Sequence, residues 1–281
     1  MATWKSIIRK AFSLVLFPFA AAYTRTRPGI RILMYHRVDR LPCYDQLTVS
    51  PERFERHMAY LATHQRVISL TQALAELAST GKMRSAVAVT FDDGYRDNLL
   101  YALPILERYK IPATIFITTQ FCDQTHRHPR YAHTVQALHL TWEEARDLSR
   151  KHGITLCSHS VSHPYLTRLS DQQVELEISE SRRLVQQHTG SAADFFCYPS
   201  GDYGSRESGY VKQAGYLGAV TVAPGVNRKT TPLHELRRTE ITQNDSVADL
   251  KAKLSGAFDL VHMMLHLRRR RAFARRRKPS A

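Results

Sequence analysis

Two adjacent aspartates, Asp92 and Asp93, end the apolar run Val87-Ala-Val-Thr-Phe91 and are followed at once by Gly94. Neighbouring residues of an extended chain point to opposite sides. Two carboxylates in sequence can therefore hold two jobs, one binding a cation while the other moves a proton. Asp-Gly alone is also an ordinary turn signal, so the pair needs partners elsewhere. His159 and His163 are the first candidates. They follow the run Ile154-Thr-Leu-Cys-Ser158 at His-x-x-x-His spacing. Pro164 disfavours helical geometry at His163, which puts both imidazoles on a strand-to-loop corner. One carboxylate with two imidazoles is a metal-ligand set that leaves positions open for water and substrate. Such an ion lowers the pKa of a water and polarises a carbonyl oxygen. The second aspartate can then accept the water's proton, and the implied chemistry is hydrolysis.

Three further strand ends carry suitable groups. Ile32-Leu-Met-Tyr35 ends in His36, which could protonate a departing amide nitrogen. Phe195-Phe-Cys-Tyr198-Pro199-Ser200-Gly201 ends in a loop shaped by proline and glycine, and a backbone N–H there, for example at Ser200, could face an oxyanion. Leu236-Arg237-Arg238 offers an arginine to pair with the base carboxylate and orient it.

Positioning these groups requires a regular succession of elements. Apolar, β-rich runs predict strands over 30–38, 86–90, 113–119, 154–158, 195–198, 218–222 and 236–241. Helices are expected between them. Ser50-Pro51 opens one to about residue 65, and the capping boxes Ser69…Gln72, Thr141…Glu144 and Ser170…Gln173 open three more. Gly153 suits the C-terminal end of the third of these four, and Val174, Ile178 and Val185 recur at helical spacing in the fourth. A helix over 99–110 must kink or start at Pro104. Short helices fit 204–215 and 246–254, the latter the last before a basic tail. Residues 121–140 read as a long His-rich loop. About seven strands alternating with helices argue for a parallel α/β sheet closed into one barrel.

Composition bounds the partners. The chain has 281 residues, 43% hydrophobic and 23% charged, with a net charge of +15, so an anionic partner is expected. Eight of the eleven residues from Arg268 to Lys278 are basic. Only Phe273 interleaves this run, which disfavours nucleic acid. Lipid headgroups fit better, at about 1 kcal/mol per basic residue. At the other end Lys5, Arg9 and Lys10 precede an apolar stretch, 11–22, shorter than the ~20 residues a span needs. It is signal-like, but Pro18 within it and Arg25 and Arg27 after it favour an uncleaved interfacial helix. The division is then 1–29 as a membrane-associating or signal-like segment, 30–260 as the catalytic domain and 261–281 as a polybasic tail. Cys43, Cys122, Cys157 and Cys197 form no CxxC pair, and the last three sit in apolar runs as buried thiols would.

Taken together, Thr90-Phe-Asp-Asp-Gly94 and His159-x-x-x-His163-Pro164 resemble the polysaccharide deacetylase family, also called the NodB-homology or carbohydrate esterase family 4 domain, over roughly residues 30–242. The resemblance implies a distorted (β/α)7-type barrel, with Asp92 as general base and with Asp93, His159 and His163 binding a divalent metal. Zinc fits the ligands, as do cobalt, nickel and iron. Leu33-Met-Tyr-His36 looks like the family's acid-histidine motif, placed N-terminally as in the poly-N-acetylglucosamine deacetylase branch. In the family a third motif usually carries the arginine. Here it is Cys197-Tyr-Pro-Ser-Gly201, which points to Arg238 as the partner of Asp92, and Ser200 replaces an aromatic in the sugar-site wall. The implied function is removal of N-acetyl groups from an envelope or extracellular glycan. Deacylation or deformylation of a lipid-linked aminosugar, and non-catalytic binding of anionic glycans or lipids, are the alternatives. The implied setting is the membrane of a bacterial cell envelope.

Overall fold

A computed structural model describes residues 26–41, 44–124, 128–131 and 138–275, with single positions at 18, 20 and 22; side chains are described as far as Arg268, Pro129 excepted. Most of the apolar stretch 11–22, and the tail beyond 275, lie outside the described residues. No described helix is long and apolar enough to cross a membrane.

The sheet has seven parallel strands: β1 (Ile30–Tyr35), β4 (Ala86–Phe91), β5 (Ala113–Ile117), β6 (Ile154–Ser158), β7 (Phe195–Cys197), β8 (Gly218–Val220) and β9 (Arg238–Glu240), in the order β8-β7-β6-β5-β4-β1-β9. On one side β9 pairs with β1, placing Arg238 beside Ile32. The chain leading into it bonds to the β8 side, through Leu236 N to Ala219 O (2.9 Å) and Arg238 N to Ala223 O (2.9 Å). One strand thus bridges both edges and nearly closes the barrel.

Side-chain parity divides the core. Ile32, Ala88, Phe116, Cys157, Cys197 and Val220 pack together inside the barrel. Leu33, Val89, Ile115 and Leu156 pack outward against Phe54, Met58 and Leu61 of the helix Pro51–His64 and Leu148 of the helix Trp142–Ser149. Both faces of each strand are covered, which is why β1 and β4 are buried at every residue rather than at alternate ones. The helix Leu70–Ala78 packs Leu70, Ala73, Leu74 and Leu77 against the interior cluster and closes the end where the strands begin.

Several expectations need correction. The strand predicted over 30–38 stops at Tyr35. Arg37–Val38 (β2) pairs instead with Thr48–Val49 (β3) in a separate two-stranded sheet, because Asp97 accepts from both Arg37 Nε (2.7 Å) and Val38 N (3.0 Å) and draws the chain off the barrel. The helix expected over 99–110 is divided: a π turn, Asn98–Ala102, precedes the α-helix Leu103–Tyr109, which starts with Pro104 in its first turn, as expected. Gly153 (φ 80°) lies beyond the end of Trp142–Ser149 and turns the chain into β6. Val247–Ser255 is not the last helix. Asp259–Arg275 follows it, and the boundary drawn at 260/261 falls inside its first turn.

Candidate active site

The two carboxylates part where β4 ends. Asp92 continues the strand, donating its N–H to Tyr35 O at 3.0 Å. Asp93 and Gly94 are both left-handed, at φ 70° and 64°. A Cβ at Gly94 would sit 2.8 Å from Ile117 Cγ2, so neither the conformation nor the space suits another residue. This turn sends Asp92 to one side and Asp93 to the other, both buried.

On the first side lies Arg238. Its guanidinium donates two hydrogen bonds to Asp92, Nη1 to Oδ1 at 2.6 Å and Nη2 to Oδ2 at 2.7 Å. Nε donates to Thr221 O (2.8 Å) and Nη1 also to Thr90 Oγ1 (3.2 Å), while Cys197 Sγ lies 3.1 Å from Nη2. Burial alone would raise the Asp92 carboxyl, but the charge and hydrogen bonds of Arg238 outweigh it and hold the group below its usual range. Asp92 is therefore ionised, with its carboxylate plane fixed by Arg238.

On the other side, Asp93 Oδ1 faces two imidazoles, His159 Nε2 at 3.4 Å and His163 Nε2 at 3.5 Å. His159 Nδ1 lies 2.8 Å from Cys197 O. A carbonyl can only accept, so Nδ1 carries a proton. Burial disfavours a charged imidazole, but Cys197 and the Asp93 carboxylate outweigh it and hold His159 well above its usual range. Without an ion, Nε2 is therefore protonated towards Asp93; an ion taking that proton's place meets the Nε2 lone pair. His163 sits at φ 60° with its N–H on Ser160 Oγ (3.0 Å). Glu177 fastens that loop, accepting from Val161 N, Ser162 N and Ser162 Oγ at 2.9, 2.9 and 2.6 Å. Burial pushes the His163 imidazole down to about 3, leaving it neutral.

This arrangement fits a bound cation. Two donors on a tetrahedral ion at about 2.0–2.1 Å are roughly 3.3 Å apart, close to the two separations here. Lone pairs facing a carboxylate repel unless positive charge lies between them. One proton satisfies one imidazole, whereas a divalent ion satisfies both.

Sequence reasoning missed other neighbours. His139 Nδ1 donates to Asp93 O (3.1 Å), and its ring lies against Tyr95 and Phe121, at 4.7 and 4.4 Å between centroids. His128 brings a donor atom within 4.8 Å of those of Asp93 and His163. Its segment is fixed by Asp45, which accepts from Arg130 Nη2 (2.7 Å) and Tyr131 OH (2.5 Å). The only signal in the sequence was the density of histidines in 121–140.

His36 and Ser200 line a cavity of about 410 Å³ together with Arg238 and Glu240. Asn98 Nδ2 holds the carbonyl of His36 (2.9 Å), and His36 Nδ1 is buried without a hydrogen-bond partner among the described residues. Ser200 is left-handed at φ 54°, within the turn Pro199–Gly201. Tyr198 points elsewhere. Its ring stacks on Tyr203 (4.5 Å) and its hydroxyl donates to His234 O (3.1 Å), so it packs in an outer cluster. Pro199 is buried, and a Cβ at Gly201 (φ 66°) would overlap Val222. Of the segment 198–201, Ser200 is the residue that reaches the cavity.

The family model described as "Polysaccharide deacetylase" matches residues 80–219, which span Asp92, Asp93, His159 and His163. A protein of Bacillus subtilis (strain 168) named "Putative polysaccharide deacetylase YxkH" is 30% identical over 214 residues, covering 75% of this chain and 71% of its own. The chain belongs to the polysaccharide deacetylase family. Solved structures of similar fold include the Streptococcus pyogenes deacetylase PplD in complex with acetate (TM-score 0.71, 23% identity, 80% of this chain and 98% of that one). Another is IcaB from Ammonifex degensii (TM-score 0.68, 22% identity, 81% and 97%). The nearly closed barrel of seven parallel strands is the fold of this polysaccharide deacetylase, a hydrolase family acting on amide bonds.

Proposed function

We propose that this deacetylase hydrolyses the N-acetyl amide of an amino sugar in a glycan, with a divalent ion held by Asp93, His159 and His163. The observation that carries the reading is the oriented pair Asp92–Arg238 one residue away from a carboxylate that faces two neutralisable imidazoles. When bound, the ion supplies Lewis-acid chemistry, lowering the pKa of water and polarising the acyl carbonyl. Zinc suits the donors, and cobalt, nickel or iron would be accepted by the same set.

The protein's own groups carry the proton traffic. Asp92, held ionised by Arg238, accepts the proton of the attacking water. Arg238 fixes the carboxylate plane through its two bonds. The backbone N–H at Ser200 donates to the oxygen that gains charge as the carbonyl becomes tetrahedral. His36, across the same cavity, gives a proton to the nitrogen as acetate departs. His36 Nδ1, unpartnered among the described residues, suits a group whose partner arrives with the substrate.

The test is acetate release from an N-acetylglucosamine oligomer by protein loaded with one divalent ion. Asp92→Asn is expected to reduce release at least about a thousandfold, within the range that acid–base groups supply with their supports, while retaining the metal. Undiminished release by that variant would refute the role of Asp92. A second reading is an acylated amino sugar carried on a lipid at the membrane of the cell envelope. It is favoured by the helix that forms part of the cavity wall, whose sequence runs on into the basic stretch from Arg268.

A further inference from the structure

The C-terminal helix, Asp259–Arg275, wears its polarity inside out. Leu260, Met264 and Leu267 recur at i, i+4 and i+7 and so share one face. They are 57%, 48% and 45% exposed. His262, Leu265 and His266 occupy the opposite face and line the cavity beside His36 and Arg238. A helix packed on a domain in water ordinarily turns its apolar stripe inward. Here the stripe faces away from the protein, and an exposed Arg268 follows it at the head of the basic run.

The helix is firmly seated at its start. Buried Arg31 donates to both carboxylate oxygens of Asp259, at 2.9 and 3.0 Å. Just before it, Ala257 and Phe258 pack with Ala252, and Ala20 from the end of the apolar N-terminal stretch joins that cluster. Ala20 therefore meets the domain at the root of this same helix. One apolar anchor gives only reversible membrane attachment, and a basic patch beside it supplies the second signal. Each basic residue near an anionic surface adds about 1 kcal/mol.

We infer that the C-terminal helix lies in the surface of an anionic bilayer, with Leu260, Met264 and Leu267 immersed and the His262–His266 face turned to the cavity. The cavity then opens beside the headgroups and takes an acylated amino sugar carried on a lipid. What fills the cavity rests on the deacylase reading; the docking of the helix does not.

The experiment is co-sedimentation of the full chain with vesicles of phosphatidylglycerol and phosphatidylcholine, and with phosphatidylcholine alone. The chain is expected on the anionic vesicles, and the triple variant Leu260→Ser/Met264→Ser/Leu267→Ser should bind them about tenfold more weakly or worse. These side chains do not line the cavity, so acetate release from soluble N-acetylglucosamine oligomers should be unchanged. Release from a vesicle-embedded dialkyl lipid bearing an N-acetylglucosamine headgroup should fall in step with binding. Wild-type protein that ignores anionic vesicles would overturn the inference, as would a variant that binds like wild type. So would a dimer that the variant dissociates, since the stripe would then belong to a second copy. Wild-type protein that releases acetate from neither probe would sink the deacylase reading and leave the vesicle result to decide the docking.

Discussion

Arg238 reaches Asp92 across 146 positions of sequence to make a buried, two-pronged ion pair. Local motifs such as Asp-Asp-Gly and His-x-x-x-His declare themselves because spacing alone brings their members together. The arginine partner is not local, and Leu236-Arg237-Arg238 left two candidates. Strand alternation separates them once β9 is in place. Arg238 shares the interior with Phe116, over whose ring its guanidinium lies at 5.8 Å, whereas the Arg237 side chain sits against Gly225. Alternation also turned Tyr198, next to the inward-facing Cys197, into the outer cluster, a direction that an aromatic in a short run does not announce. Arg238→Met would leave Asp92 buried and unpaired, and should cost about 3–5 kcal/mol, measured by urea unfolding. Arg238→Lys keeps the charge but not the fork, so it should recover part of the stability and little of the turnover.

At the scale of elements, the site is assembled where the backbone is least relaxed. Asp93, Ser160, His163 and Ser200 all have positive φ, and each such residue persists only where its surroundings hold it. The capping boxes at Ser69, Thr141 and Ser170 were legible, because a cap is written within four residues. The break after Tyr35 was not, because it depends on Asp97, and neither was the position of His128, because it depends on Asp45. Gly94→Ala should cost at least about 1–2 kcal/mol for the left-handed backbone, with a further loss as Ile117 gives way, and should weaken metal binding by displacing Asp93. Paired thermal melts and metal titrations would show both. The helix Pro51–His64 makes a separate point about pH. Burial pushes His57 down from 6.5 to about 4, with its ring between Tyr35 OH (3.2 Å) and Asp245 O (3.0 Å). A group lowered in the folded state stabilises above its unfolded value, and that contribution is lost as pH falls. Stability should therefore drop between pH 6.5 and pH 4, with His57 responsible for up to about 3 kcal/mol. His57→Gln should remove that share of the pH dependence in calorimetry.

For the whole molecule, the barrel gathers groups following β1, β4, β6 and β7 at the end where the strands finish, as α/β folds do, while Arg238, the first residue of β9, reaches them through the interior. Seven strands alternating with helices were enough to read this architecture from sequence, since parallel strands covered on both faces leave unbroken apolar runs. The C-terminal helix was harder to read because its apolar stripe points outward and its sequence passes into the basic run. Its consequence is that one wall of the cavity belongs to the element the chain presents to an anionic surface. Raising salt should accordingly release the protein from anionic vesicles without altering acetate release from a soluble oligomer.

The central claim is that Asp93, His159 and His163 share one ion beside an ionised Asp92. Anomalous diffraction at the cobalt edge, from crystals grown with cobalt(II), addresses it most directly. One peak is expected, at about 2.0–2.2 Å from Asp93 Oδ1 and from both Nε2 atoms, absent in Asp93→Ala and retained in Asp92→Asn. A peak elsewhere, or none between these three side chains, would contradict it.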